Sequence, residues 1–208
     1  MTASHRPCAT TALRLCTWRT CGEVLAADPE LREKFLLQWI DEAGIKTERY
    51  RKIIFDYMQE NYPDAKDFVL KTMEGINLTE LHTDKSNSLV DLVSEASKMV
   101  VAPMPNLYFT RDPFAMIGNG VSINRMYSVT RNRETIYGEY IFNYHPDFKG
   151  TPQYYSRYNT FHIEGGDILN INDKVLAIGE NIQIRRFVRY AEGVNVPYIH
   201  MGARSACW

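Results

Sequence analysis

The sequence predicts an α/β protein in which a helical segment precedes a strand-rich one. Three observations carry this. Up to residue 99, apolar side chains recur at helical spacing. At Val100 the texture changes to prolines, aromatic runs and two-residue alternation. Near the end, "TFHIEGGDILNINDKVLAIG" sets a diglycine inside an apolar strand pattern.

The elements follow in order. Asp28 is a natural N-cap, Pro29 suits the first helical position, and Gly44 suits the exit. Leu31, Phe35 and Trp39, with Leu36 and Ile40, form one apolar face. Thr47 is expected to cap a second helix that buries Tyr50, Ile53, Ile54, Tyr57 and Met58 and ends before Pro63. A third helix is expected from Asp64 to Glu74, closed by Gly75, and a fourth from Ser88 to Met99. Then "NLYFT" (106–110) reads as a buried strand, and "GVSINRMYSV" as an alternating one with Val121, Ile123 and Arg125 sharing a face. Asn132 is expected to cap a short helix ended near Pro146. A strand before the diglycine, one after it, an Asn172-Asp173 turn and a last strand complete the pattern. The domains are therefore an N-terminal segment at 1–23, helices at 24–99, an α/β part at 100–180 and a tail at 181–208.

Composition narrows the function classes. Of 208 residues, 45% are hydrophobic and 24% charged, as in ordinary globular proteins. The net charge of -1 makes no electrostatic case for nucleic acid or an anionic membrane, and no apolar run is long enough to span a bilayer. Cys8, Cys16, Cys21 and Cys207 form no CxxC pair, which argues against zinc and against a disulfide framework. The cytoplasm is the default compartment. The acid-free opening, "MTASHRPCATTALRLCTWRTCG", fits a transit peptide, a disordered tail or an artefactual start.

Charged residues in an apolar setting mark the candidate site. Asp112 follows an aromatic run and precedes Pro113, which restricts its backbone. It could face a ligand at the strand's C-terminal mouth, make a simple turn, or pair with Arg111. Glu164 and Asp167 flank the diglycine, bracketed by Ile163 and Ile168. Buried carboxylates need a partner, and a guanidinium fork suits them. That fork could belong to a protein arginine or to a substrate. Arg131, between strand and helix, could grip a carboxylate or lie on the surface. "HIE" at 162–164 opens a zinc-deaminase signature, but its second half, P-C-x-x-C, is missing.

Together, "PMPNLYFTRDPFAMIGNGVSINRM", "TRNRET" and "HIEGGDILNINDKVLAIG" resemble arginine deiminase, in register from about residue 24 to about residue 180. The helical stretch strengthens the likeness, because related guanidine-modifying enzymes lack such an insertion. The resemblance implies part of a pseudo-fivefold α/β propeller of ββαβ modules with an inserted helical bundle. It implies hydrolysis of L-arginine to L-citrulline and ammonia without metal or cofactor, in a homo-oligomer. A cysteine thiolate attacks the guanidinium carbon, and histidine-assisted water releases citrulline. By motif match, Asp112 and Glu164 hold the guanidinium and assist proton transfer. Asn106 and Phe109 line the pocket, Arg131 grips the α-carboxylate, and Asp167 supports.

The chain departs from the family pattern after "VLAIG". An I-G-x-S-x-R-T run is expected and "IGENIQIRRFVRY" stands there, with Arg185 and Arg186 out of register. Neither an H-x-D pair nor a glycine-rich cysteine follows; His200 and Cys207 echo them only faintly. The chain therefore reads as truncated, with the carboxylate half of a site. Three readings stay open: an arginine deiminase, an arginine-binding or oligomer-associating module, and an inactive fragment.

Overall fold

In the computed structural model, which describes residues 17–81, 98–107, 109, 111–172, 175–179 and 198–201, two helices meet at Asp28. Helix α1 (Thr17–Ala27) ends there and α2 (Pro29–Glu42) begins. The Asp28 carboxylate accepts from the amides of Glu30 and Leu31 at 3.0 and 3.2 Å, satisfying two donors that the first turn leaves open. Helix α1 was not expected from the sequence. Its stripe is Cys21, Val24 and Leu25, all buried, and it emerges only when Cys21 is counted as apolar. The alternatives for the first sixteen residues lie outside the described residues.

Packing divides the chain into two units, Trp18–Tyr108 and Phe109–Trp208 with Met1–Thr17. The first holds α1, α2, α3 (Glu48–Asn61) and α4 (Ala65–Glu74), then β1 (Ile76–Asn77) paired antiparallel with β2 (Met99–Val101). Its core is Phe35, Leu36, Trp39, Ile40, Ile54, Met58, Phe68 and Val69, each fully buried. Trp39 Nε1–H, buried with its ring, donates to the Thr72 carbonyl at 3.2 Å. Thr47 precedes α3 as expected, but its side chain makes no capping bond. Only Ile54 and Met58 of the expected α3 face are fully buried, and Tyr50 is exposed. Gly44 and Gly75 have φ of 79° and 83°, the left-handed region that glycine tolerates best. Most of the helix expected over 88–99 lies outside the described residues, and Met99 belongs to β2.

The second unit is mixed α/β. Strands β3 (Phe114–Ile117) and β4 (Gly120–Ile123) form a hairpin across Gly118-Asn119, a two-residue loop. Two helices follow, α5 (Val129–Asn132) and α6 (Thr135–Tyr144). Strand β5 (Gln153–Tyr155) then pairs parallel with β4. Helix α6 is buried along most of its length, with Phe114 and Phe142 in edge contact at 5.5 Å. A second hairpin, β6 (Ile168–Asn172) and β7 (Val175–Gly179), carries β8 (Tyr198–Met201) parallel to β7. Both sheets thus have the same plan, an antiparallel hairpin with a third strand parallel to its second. Among the described residues, no helix is long and apolar enough to cross a membrane.

Four local expectations are corrected. Residues 105–107 are a turn, not strand: Pro103 and Pro105 offer no amide, and the strand forms after Pro113. Asp112 therefore stands at the entry of β3, not at a C-terminal mouth. Asn132 ends α5 and caps nothing; Ser128 caps α5, accepting from the Arg131 amide at 3.5 Å. The strand expected at "TFHI" is absent, and Gln153–Tyr155 takes its place beside β4. Strand β4 does not alternate in burial, because Gly120, Val121, Ser122 and Ile123 are all buried.

Removing the bond acceptor between α1 and α2 should be measurable. Asp28→Ala is expected to destabilise the protein by about 1 kcal/mol in urea denaturation, and Asp28→Asn by much less.

Candidate functional site

Three loops of the second unit deliver the charged residues, and each is held by its backbone. The first is the turn at 111–113. Asn124, fully buried, donates Nδ2–H to the Asp112 carbonyl at 2.8 Å and its amide to the Pro113 carbonyl at 2.9 Å. Ser122, also buried, donates to Asn124 Oδ1 at 2.6 Å and fixes the amide's orientation. The Asp112 backbone is thereby tied down at the mouth of β3, and its carboxylate is left to face other charges.

Arg111 does not pair with Asp112. Its Nη2 donates to the Ile168 carbonyl at 2.7 Å, drawing the first loop onto the segment around the diglycine. The approach is close enough that a Cβ on Gly165 would lie 1.9 Å from the Arg111 carbonyl oxygen. Gly166 has open space instead. The diglycine admits a neighbouring backbone at its first position only.

The second loop is that segment, a 3-10 turn at Gly165–Asp167. The Asp167 carboxylate accepts from the Glu164 amide at 3.0 Å, and the Asp167 amide donates to the Glu164 carbonyl at 2.9 Å. The Glu164 carboxylate accepts from the main-chain amide of Tyr127 at 3.0 Å. His162 is spent locally: Nδ1–H donates to the Met126 carbonyl at 2.9 Å, and its ring meets Tyr127 edge-on at 5.5 Å.

The third is the α5–α6 junction, which brings Arg131 to the acids. Its Nη2 lies 3.0 Å from Asp112 Oδ2 and 3.1 Å from Glu134 Oε2. Nε donates to Glu134 Oε1 at 3.3 Å, and Nη1 is 4.0 Å from Glu164 Oε2. The Glu134 side chain is only 1% exposed. Of the alternatives open for the acids' partner, this structure has the protein arginine.

The charges disturb one another. Burial pushes the Glu134 carboxyl above its ordinary range; Arg131 opposes this, while Asp112 and Glu164 add to it. Asp167 is raised as well, by burial first, against the bond from Glu164, and by the charges of Glu164 and Asp112. Burial works against the Arg131 charge, but bonds to Glu134 and Asp112 outweigh it and its pKa is raised.

Asp112, Arg131, Glu164 and Asp167 therefore come together, as a set. Phe109 begins the same unit, 47% exposed, and its carbonyl accepts from the Asp112 amide at 3.2 Å. Asn106 falls in the other unit, half-buried in the turn at 105–107. Arg185, Arg186 and Cys207 lie outside the described residues, and His200 is described only as a rung of β8 opposite Ile178. Glu134 was missed from the sequence. Its three-residue spacing from Arg131 was the available signal, since such pairs share a helix face.

Residues 20–181 match the family model described as arginine deiminase. A protein of Treponema denticola named arginine deiminase is 55% identical over 159 residues, covering 76% of this chain and 38% of its own length. One of Streptococcus agalactiae with that name is 48% identical over 153 residues, 72% of this chain and 37% of the relative. One of Clostridium perfringens, also so named, is 43% identical over 164 residues, 76% and 40%. The chain spans about two fifths of the length of the curated relatives it matches.

Two outcomes follow for the diglycine turn. Gly165→Ala is expected to destabilise by about 1–3 kcal/mol in thermal denaturation, and Gly166→Ala to be close to neutral. A raised carboxyl favours folding while protonated; that stability is full below the ordinary Asp value of 3.8 and is lost as pH rises through the folded value. Asp167→Asn keeps an acceptor for the Glu164 amide. It is expected to raise the melting temperature at about pH 7 and to match the unmodified chain at about pH 3.

Proposed function

Since this chain belongs to the arginine deiminase family, we propose that it carries the carboxylate half of a site for hydrolysing L-arginine to L-citrulline and ammonia. Asp112 and Glu164 hold the substrate guanidinium and assist proton transfer. Arg131 takes the α-carboxylate. Asp167 supports Glu164 through its amide, and Phe109 belongs to the pocket lining. The strand plan supports reading the second unit as part of a propeller built of ββαβ modules.

One observation carries the proposal: Asp112, Glu134 and Glu164 are arrayed around the guanidinium of Arg131, with Asp167 bonded to the Glu164 amide beside them. Burial raises Glu134 and Asp167 first, and the charges of the neighbouring acids add to it. A second guanidinium, brought by the substrate, would offset those charges. Its five N–H donors match carboxylate oxygens in one plane.

Turnover needs a thiolate as well. Cys21 is fully buried among the helices, and burial drives its thiol far above the usual range, so it is no nucleophile. Cys8, Cys16 and Cys207 lie outside the described residues, and binding without turnover is the reading proposed for this chain alone.

Calorimetric titration of the 208-residue chain with L-arginine is expected to saturate. Asp112→Asn should weaken binding at least about tenfold, the scale of a lost hydrogen bond between charged groups. A citrulline assay should show no product. Binding unchanged in Asp112→Asn would remove that residue from the site, and citrulline formed by the chain would overturn the half-site reading.

A further inference from the structure

Arg131 stands where its proposed role does not require it. A residue meant for the substrate's α-carboxylate could wait in solvent. Instead its Nη2 lies 3.0 Å from Asp112 Oδ2, and its Nη1 approaches Glu164 Oε2 at 4.0 Å. Those are the two acids assigned to the substrate's guanidinium. A second guanidinium set on the same two acids would lie against the first, like charge on like.

From this geometry we infer that Arg131 is an internal occupant of the guanidinium position, which yields to a ligand by exchange of partners. The inference rests on the assignment of Asp112 and Glu164 made above. Before binding, Arg131 pairs with Asp112 and the ligand's charges are in water. After binding, the ligand's guanidinium takes Asp112 and Glu164, and Arg131 takes the ligand's carboxylate. Each protein charge leaves with a partner of equal and opposite charge.

Glu134 makes the exchange local. It holds Arg131 at Nε and Nη2, at 3.3 and 3.1 Å, from a side chain 1% exposed and three residues along the same stretch. A swing of the Nη end away from Asp112 leaves the Nε bond in place. The arginine changes partner without leaving its anchor.

Specificity follows from the exchange. A guanidine with no carboxylate also has to displace Arg131 from Asp112, but offers it nothing in return. The half-buried arginine then keeps Glu134 alone. The site thus selects α-amino acids that bear a guanidinium over simple guanidines, by a penalty as well as by an attraction.

The two effects separate in the variants. If Arg131 only attracts the carboxylate, removing it weakens L-arginine and leaves agmatine, which is arginine without its carboxylate, untouched. If it also occupies the guanidinium position, removing it strengthens agmatine. The full chain, Arg131→Gln and Arg131→Lys are titrated calorimetrically with L-arginine and with agmatine. Arg131→Gln is expected to bind agmatine about fivefold more tightly than the unmodified chain, the scale of one released ion pair. Its affinity for L-arginine should fall. Arg131→Lys retains the charge and loses the two-point grip, so it should shift agmatine the same way by less, and it carries the test if the glutamine variant does not fold. Damage to the fold cannot raise an affinity. Agmatine binding unchanged or weakened in the folded variants overturns the inference while saturable L-arginine binding keeps the site assignment. Agmatine bound only by the variants supports the internal occupant; if L-arginine is then bound by no form, the site assignment falls while the occupant stands. No binding of either ligand to any form overturns both.

Discussion

Three carboxylates share one corner of this fold around the guanidinium of Arg131. Arg131 is shared between Asp112 and the buried Glu134 and faces Glu164. Without that charge the cluster would be mutual repulsion in a partly dry setting, where ionised acids are expensive to hold. The loops around it are consequently built to resist repulsion. Asn124 ties down the Asp112 carbonyl from a fully buried position, and Glu164 and Asp167 brace each other through main-chain bonds. Backbone anchors suit this purpose, because they hold a carboxylate in place without neutralising it.

The same constraint explains the unequal glycines of the "EGGD" run. One loop must lie directly against another for Asp112 and Glu164 to reach the same arginine. That contact is made by the Arg111 carbonyl over Gly165, with Arg111 itself reaching on to Ile168. The steric demand falls on one glycine. At the first glycine of the motif the protein approaches itself.

Much of this was legible in the sequence where a residue's role is local. Asp28 followed by Pro29 announced a helix start, and Leu31, Phe35 and Trp39 announced its buried face, because capping and helical spacing act over a few residues. Asp112, Arg131, Glu164 and Asp167 stood out as charges set among apolar runs, and they do meet. What was lost depended on contacts distant along the chain. The run "NLYFT" has strand composition, yet its neighbours Pro103 and Pro105 lack amides and the sheet begins after Pro113. Asn124 looks like any polar residue near a strand end until its bonds to the Asp112–Pro113 turn are seen. Helix α1 was passed over because one of its three buried hydrophobic residues is a cysteine.

Tyr127 offers a last consequence. Its side chain is 79% exposed, while its main-chain amide holds the Glu164 carboxylate. The contribution it makes there is one that nineteen of the twenty amino acids carry, proline being the exception. Position 127 therefore couples a fixed service to a free surface. Its side chain can change at the cost of the edge contact with the His162 ring, while the carboxylate behind it keeps the same donor. A feature of the site is in this way written into the shape of the backbone, where sequence comparison of side chains would pass over it.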